Sequence, residues 1–154
     1  MPRKRVAVIG SGSLESSQHL AAKELGLGLA QAGLDVVCGG LGGVMQAVCE
    51  GVQQGQGYSI GILPGQDIQE ANPYVSCPLA TGLGPMRNYL VVLNSDLVLA
   101  FAGGPGTLSE IGLAQKIGKT VIALGNWAEL PGVLPAQDVK QALEMIQDRL
   151  CSGN

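Results

Sequence analysis

Basic residues are too few to give this chain a positive field. Nine Lys and Arg stand against twelve Asp and Glu, a formal charge of −3 over 154 residues, which disfavours binding to nucleic acid or to an acidic membrane surface. Histidine is nearly missing. With His19 alone, a metal cluster built on histidines is excluded, a Ser-His-Asp triad has a single candidate base, and no metal site is expected. On its early helix His19 reads as a surface residue. Cys38, Cys49, Cys77 and Cys151 lie too far apart for zinc-finger spacing and read as free thiols in a reducing cytoplasm. No apolar stretch is long enough to cross a bilayer, and the run after Arg3-Lys4-Arg5 is too short for a signal peptide. Aromatics make up 3% of the chain, with Phe101 and Trp127 each alone of its type.

What the chain has in excess is glycine, 24 residues, about twice the ordinary share. The length fits one domain spanning 1–154. Tight backbone turns follow from the composition, and three of them stand at telling places. The stretch Ala102-Gly103-Gly104-Pro105-Gly106-Thr107-Leu108-Ser109-Glu110 follows an apolar run, Asp96 to Phe101, and precedes a helical pattern at Ile111, Leu113, Ala114 and Ile117. A glycine turn from strand to helix suits an anion, because the backbone comes close and the helix N-terminus offers unpaired N–H groups. The same residues also fit a capping box, with Thr107 as cap and Glu110 reaching back.

The chain opens in the same manner. Val6-Ala7-Val8-Ile9 runs into Gly10-Ser11-Gly12-Ser13 and a helix ending at Gly33, yet the third glycine of a dinucleotide fingerprint falls on Glu15. No acid closes the second strand, Val36-Val37-Cys38, so NAD is not expected. That strand leads into Gly39-Gly40-Leu41-Gly42-Gly43 and a helix containing Met45. Glycine turns at the C-terminal ends of parallel strands open onto one edge of a sheet, where α/β folds bind ligands. The plain alternative is that glycine permits close packing.

A third strand covers Tyr58–Leu63, and Tyr74–Cys77 is a candidate short strand in an otherwise irregular, proline-broken segment of the kind that forms a lid, a binding loop or an interface. After Pro85, Met86, Leu90 and Leu93 share a helix face, with Arg87 and Asn88 in the first turn. A cation there opposes the helix dipole, so Arg87 is expected either to be exposed or to face an anion or a carboxylate. Gly118-Lys119-Thr120 lacks the upstream glycine of a P-loop and reads as a helix stop before Val121–Leu124. The Trp127–Pro135 region reads as a connecting loop. A last helix carries Val139, Leu143, Ile146 and Leu150 on one face, for packing on the sheet or on a second subunit. The fold class is a Rossmann-like α/β domain with a doubly wound parallel sheet.

The glycine turn at 103–110 together with Arg87 resembles the Lonely Guy family, long mislabelled as lysine decarboxylases, whose signature P-G-G-x-G-T-x-x-E follows an M-H-x-R-K segment. Arg87 and Glu110 fall at the positions of that family's catalytic pair, 23 residues apart, and Gly39 to Met45 is similar to its G-G-x-x-G-x-M segment. Departures are also present: Ala102 replaces the first Pro, Gly84-Pro85 replaces Met-His, and Asn88 stands where the Lys would be. Thr81 to Asn88 instead resembles the short-chain branch of the superfamily that includes the molybdenum cofactor carrier proteins. The resemblance implies a binding protein that holds molybdopterin, protects it and hands it to an acceptor enzyme. Its binding residues would come from Gly10, Ser11, Gly12, Ser13, Gly39, Gly40, Gly42, Gly43, Met45, Arg87, Asn88, Gly103, Gly104, Pro105, Gly106, Thr107 and Glu110. The alternative is a nucleoside 5′-monophosphate phosphoribohydrolase with Arg87 and Glu110 as catalytic residues. Either reading implies a small phosphorylated ligand and a homo-oligomer, dimer or tetramer.

Overall fold

Short apolar runs form the central strands of a seven-stranded sheet. The computed structural model describes residues 2–13 and 15–151, without the side chains of Ser16 and Ser17. Its strands are β1 (Arg5–Ile9), β2 (Asp35–Cys38), β3 (Ser59–Leu63), β4 (Cys77–Ala80), β5 (Leu97–Ala100), β6 (Val121–Ala123) and β7 (Leu134–Pro135). They lie in the order β4-β3-β2-β1-β5-β6-β7 and every pairing is parallel, with Val6 opposite both Val36 and Leu97. A parallel sheet must be covered on both faces, which is why its central strands are apolar throughout and not alternating. Val6 to Ile9 and Leu97 to Ala100 are buried at every position. This is the single α/β, Rossmann-like domain that the sequence predicts.

The helices divide between the two faces. α1 (Ser16–Gln31), α2 (Val44–Gln54) and α5 (Val139–Leu150) cover one side through Leu25, Leu29, Val48, Val52 and Ile146; α3 (Arg87–Leu93) and α4 (Pro105–Lys116) cover the other through Val91, Val92, Ile111 and Ala114. The apolar face of α5 is therefore spent inside its own domain. α1 and α2 touch backbone to backbone, since a Cβ on Gly26 would sit 2.1 Å from the Val48 carbonyl oxygen and one on Gly51 would sit 2.0 Å from that of Lys23. His19 pairs with Glu50 across this contact at 3.2 Å and is half-exposed, so it is a surface residue with a partner.

Three local expectations are corrected. The short strand begins at Cys77, not Tyr74; as an edge strand it tolerates Pro78, which has no N–H to donate. Part of the Trp127–Pro135 connection pairs with β6 as β7, two residues too few to leave a pattern. α3 buries Asn88, Val91 and Val92, while Leu93 and Met86, which immediately precedes the helix, are exposed, so the face shared by Met86 and Leu93 looks outward; the hydrogen bonds of Arg87 and Asn88 described below fix its rotation. The capping box does not form. Pro105, whose fixed φ suits the first helical position, starts α4 with Gly104 as its cap residue and leaves Thr107 and Glu110 inside the helix.

Candidate functional site

Parallel strands followed by helices send every helix N-terminus to the same edge of the sheet. At that edge α1, α2 and α4 all begin without a side-chain cap among the described residues, whereas α5 is capped by Asp138, whose carboxylate accepts from the Gln141 N–H at 2.8 Å. Uncapped first turns leave N–H groups free for an anion. Ser11 braces the three turns together. Its N–H donates to the Ala102 carbonyl at 3.1 Å, its carbonyl accepts from the Val44 N–H at 3.0 Å, and its hydroxyl accepts from the Ser13 N–H at 3.1 Å.

The glycines sort into two groups by what a Cβ would meet. At Gly39 it would lie 2.6 Å from the Arg87 guanidinium and 2.7 Å from the Met45 sulfur; at Gly103, 2.2 Å from the Thr107 hydroxyl; at Gly10, 2.6 Å from Val44. Gly43, at φ +65°, faces the Ser11 carbonyl oxygen at 2.2 Å, and Gly40, at φ +77°, faces Leu63. These five serve packing, as the plain reading of the glycines expects. Gly12, Gly104 and Gly106 have nothing within 4 Å, and Gly42 only the Gly12 carbonyl oxygen at 3.5 Å. Open backbone at these four is the surface a ligand can approach.

Beneath them lies a recess of about 130 Å³ walled by Ile9, Gly10, Gly39, Met45, Arg87, Asn88, Gly106 and Glu110. Arg87 neither points to solvent nor pairs directly with a carboxylate. Its Nε donates to the Ile62 carbonyl at 2.9 Å, Nη2 to the Gly39 carbonyl at 3.4 Å, and Nη1 to the Asn88 side-chain oxygen. The cation at the start of α3 is thus held by the carbonyls that end β2 and β3. Burial lowers its pKa from the ordinary arginine value, while the Glu110 and Cys38 charges oppose that shift.

Glu110 lies one turn into α4 and is 9% exposed. Burial raises its pKa to about 7, against the pull of Arg87. A fixed cation and a carboxyl that titrates near neutrality therefore face one small recess, a combination common at functional sites. Ser13 and Pro105 lie on the turns that rim it. Asn72 is the part that sequence reasoning missed. Its side-chain amide donates to the Leu41 and Gly40 carbonyls at 2.9 and 3.3 Å and its backbone N–H donates to Gly40 at 2.9 Å, so the irregular 64–85 segment is tied down onto the Gly39–Gly43 turn. A lone Asn in a loop gives no signal of this. The Ile62 carbonyl, being backbone, gives none either.

A family model matches residues 3–150, nearly the whole chain. The chain belongs to the SLOG cluster4 family. The molybdenum cofactor binding protein of the phototrophic bacterium Rippkaea orientalis superposes on this SLOG chain with a TM-score of 0.90 at 34% identity, over 97% of this chain and 98% of that one. The molybdenum cofactor carrier protein of Chlamydomonas reinhardtii gives a TM-score of 0.88 at 31% identity, over 99% and 100%. An uncharacterized protein of Archaeoglobus fulgidus is 36% identical over 124 residues, 80% of this chain and 82% of its own length. Among the described residues no group of three or more His, Cys, Asp or Glu is placed to hold a metal ion, and no helix is long and apolar enough to cross a membrane.

Proposed function

We propose that this chain binds a phosphorylated, nucleotide-like cofactor and acts as a molybdenum cofactor carrier, holding molybdopterin, protecting it and passing it to an acceptor enzyme. The observation that carries the reading is the convergence of three uncapped helix N-termini on a half-buried, carbonyl-held Arg87. The phosphate sits over Gly104, Gly106 and Thr107, and the open Gly12 and Gly42 backbone, with Ser13 beside it, receives the pterin and its metal-bearing end. The recess at Arg87 is smaller than the roughly 300–1,000 Å³ of sites that enclose a whole ligand, so it takes one group of the cofactor and leaves the rest on the turns. The resemblance to two proteins described as binding or carrying this cofactor supports the choice of ligand.

A homo-oligomer is part of the proposal. Met86 is 72% exposed, and Tyr89 and Leu93 also face outward from α3, beside a largely apolar groove that runs between α3 and α4. Exposed apolar faces of this kind are covered by a symmetric partner.

The second reading, hydrolysis of a nucleoside 5′-monophosphate, is favoured by one observation, the neutral-range pKa of Glu110 beside Arg87. An ionised Glu110 would stabilise the positive charge that develops at the ribose C1 and would orient water. The two readings place opposite demands on this carboxyl. Anion binding strengthens when Glu110 is protonated and weakens as pH rises through about 7, whereas hydrolysis grows over the same range. Incubation with a set of nucleoside monophosphates from pH 6 to pH 8 tests this. The carrier reading expects no ribose 5-phosphate above the Glu110→Gln background at any pH. Release that rises with pH and is lost in Glu110→Gln would replace it with the hydrolase.

A further inference from the structure

A second cavity, of about 520 Å³, opens at the same edge of the sheet on the other side of the β5–α4 connection. Phe101, Ala102 and Leu124 form an apolar floor, and Gln18, Glu24 and Gln137 supply polar groups. The side chains of Gln18 and Glu24 make no hydrogen bond or ion pair among the described residues. Nothing in the reading above uses this cavity.

Its place in the topology says what it is for. β1 connects leftward to β2 through α1 on one face, and β5 connects rightward to β6 through α4 on the other, so the winding reverses between β1 and β5. Two-part nucleotides bind across such a reversal, one half on each side, with the pyrophosphate over the glycine turns between them. Here the Arg87 recess lies at the ends of β1 and β2, and the second cavity lies at the ends of β5 and β6. Between them are the open backbones of Gly12 and Gly104 and the Ser11–Ala102 hydrogen bond that joins the two turns.

We infer that the second cavity takes the purine nucleoside half of a pyrophosphate-bridged ligand whose other half is held at the Arg87 recess. The inference rests on the anion site of the proposed function and extends its ligand class from a monophosphate to a dinucleotide form. The cavity volume falls within the range of small-molecule sites, which pair apolar walls with a few polar groups. Among purines, guanine offers an N–H and an amino group side by side, the donor pair a carboxylate such as Glu24 accepts. β2 ends on Cys38 and not on the acid that would hold an NAD ribose.

The test is a calorimetric titration with guanosine 5′-monophosphate and with diguanosine 5′,5′-pyrophosphate, on the native chain and on Gln137→Trp and Glu24→Ala, both changes at exposed positions. The native chain should bind the dinucleotide at least tenfold more tightly than the mononucleotide, and that ratio should fall to about one in Gln137→Trp and decrease in Glu24→Ala. A native ratio near one, or a ratio untouched in Gln137→Trp, would overturn the inference. Molybdopterin, with its single phosphate, is titrated on the native chain in parallel. Molybdopterin binding without a dinucleotide advantage would defeat this inference and leave the carrier reading intact, while a dinucleotide advantage without molybdopterin binding would do the reverse.

Discussion

Glu110 is the residue whose chemistry depends most on its surroundings. Burial holds its pKa at about 7, well above the 4.5 of a free carboxyl, so the folded state binds this proton more tightly than the unfolded one. The contribution to stability is complete below pH 4.5, is lost as pH rises through 7, and amounts to on the order of 3 kcal/mol for a shift of this size. Denaturant unfolding from pH 4.5 to 8 should show native stability declining over that interval and Glu110→Gln flat across it, the variant being the more stable at pH 8. A parallel decline in both would place the titration elsewhere. Arg87 and Glu110 were legible in sequence as a spaced pair, and the structure brings them to one recess. What the sequence hides is how Arg87 is held, because two of its three partners are backbone carbonyls far away in the chain.

At the scale of elements, identical substitutions should have opposite signs. Gly51, inside α2, lies where a Cβ would meet the Lys23 carbonyl oxygen of α1 at 2.0 Å, whereas Gly112, inside α4, has nothing within 4 Å. Alanine favours a helix over glycine by about 1 kcal/mol, and overpacking costs about 1–3 kcal/mol. Gly112→Ala should therefore raise the midpoint of urea unfolding and Gly51→Ala should lower it; a rise in both would mean that the α1–α2 contact is looser than described. Long apolar runs such as Val6–Ile9 announced their strands. Two elements that the sequence misplaced are short edge strands whose identity depends on a neighbour: β7 exists only by pairing with β6, and β4 is set by its register on β3; the start of α4 was misplaced because Pro105 takes the first helical position ahead of Thr107.

Over the whole molecule, topology does most of the positioning. Seven parallel strands deliver the turns after β1, β2 and β5 to one edge, and Ser11 joins them. The shared edge could be read from glycine turns that follow apolar runs; the bracing by Ser11, which is made by its backbone, could not. The second cavity could not, since Gln18, Glu24, Leu124 and Gln137 come from distant segments that carry no motif. The apolar Met86–Leu93 face was legible as well, and the structure adds Tyr89 to it.

The central claim, that this chain is a carrier assembled from like subunits, is tested most directly by native mass spectrometry of the protein incubated with molybdopterin under anaerobic conditions. The account predicts an assembly of two or four chains, each retaining one intact cofactor, with retention lost in Arg87→Ala. A protein that retains no cofactor, or that retains it equally without Arg87, would contradict it.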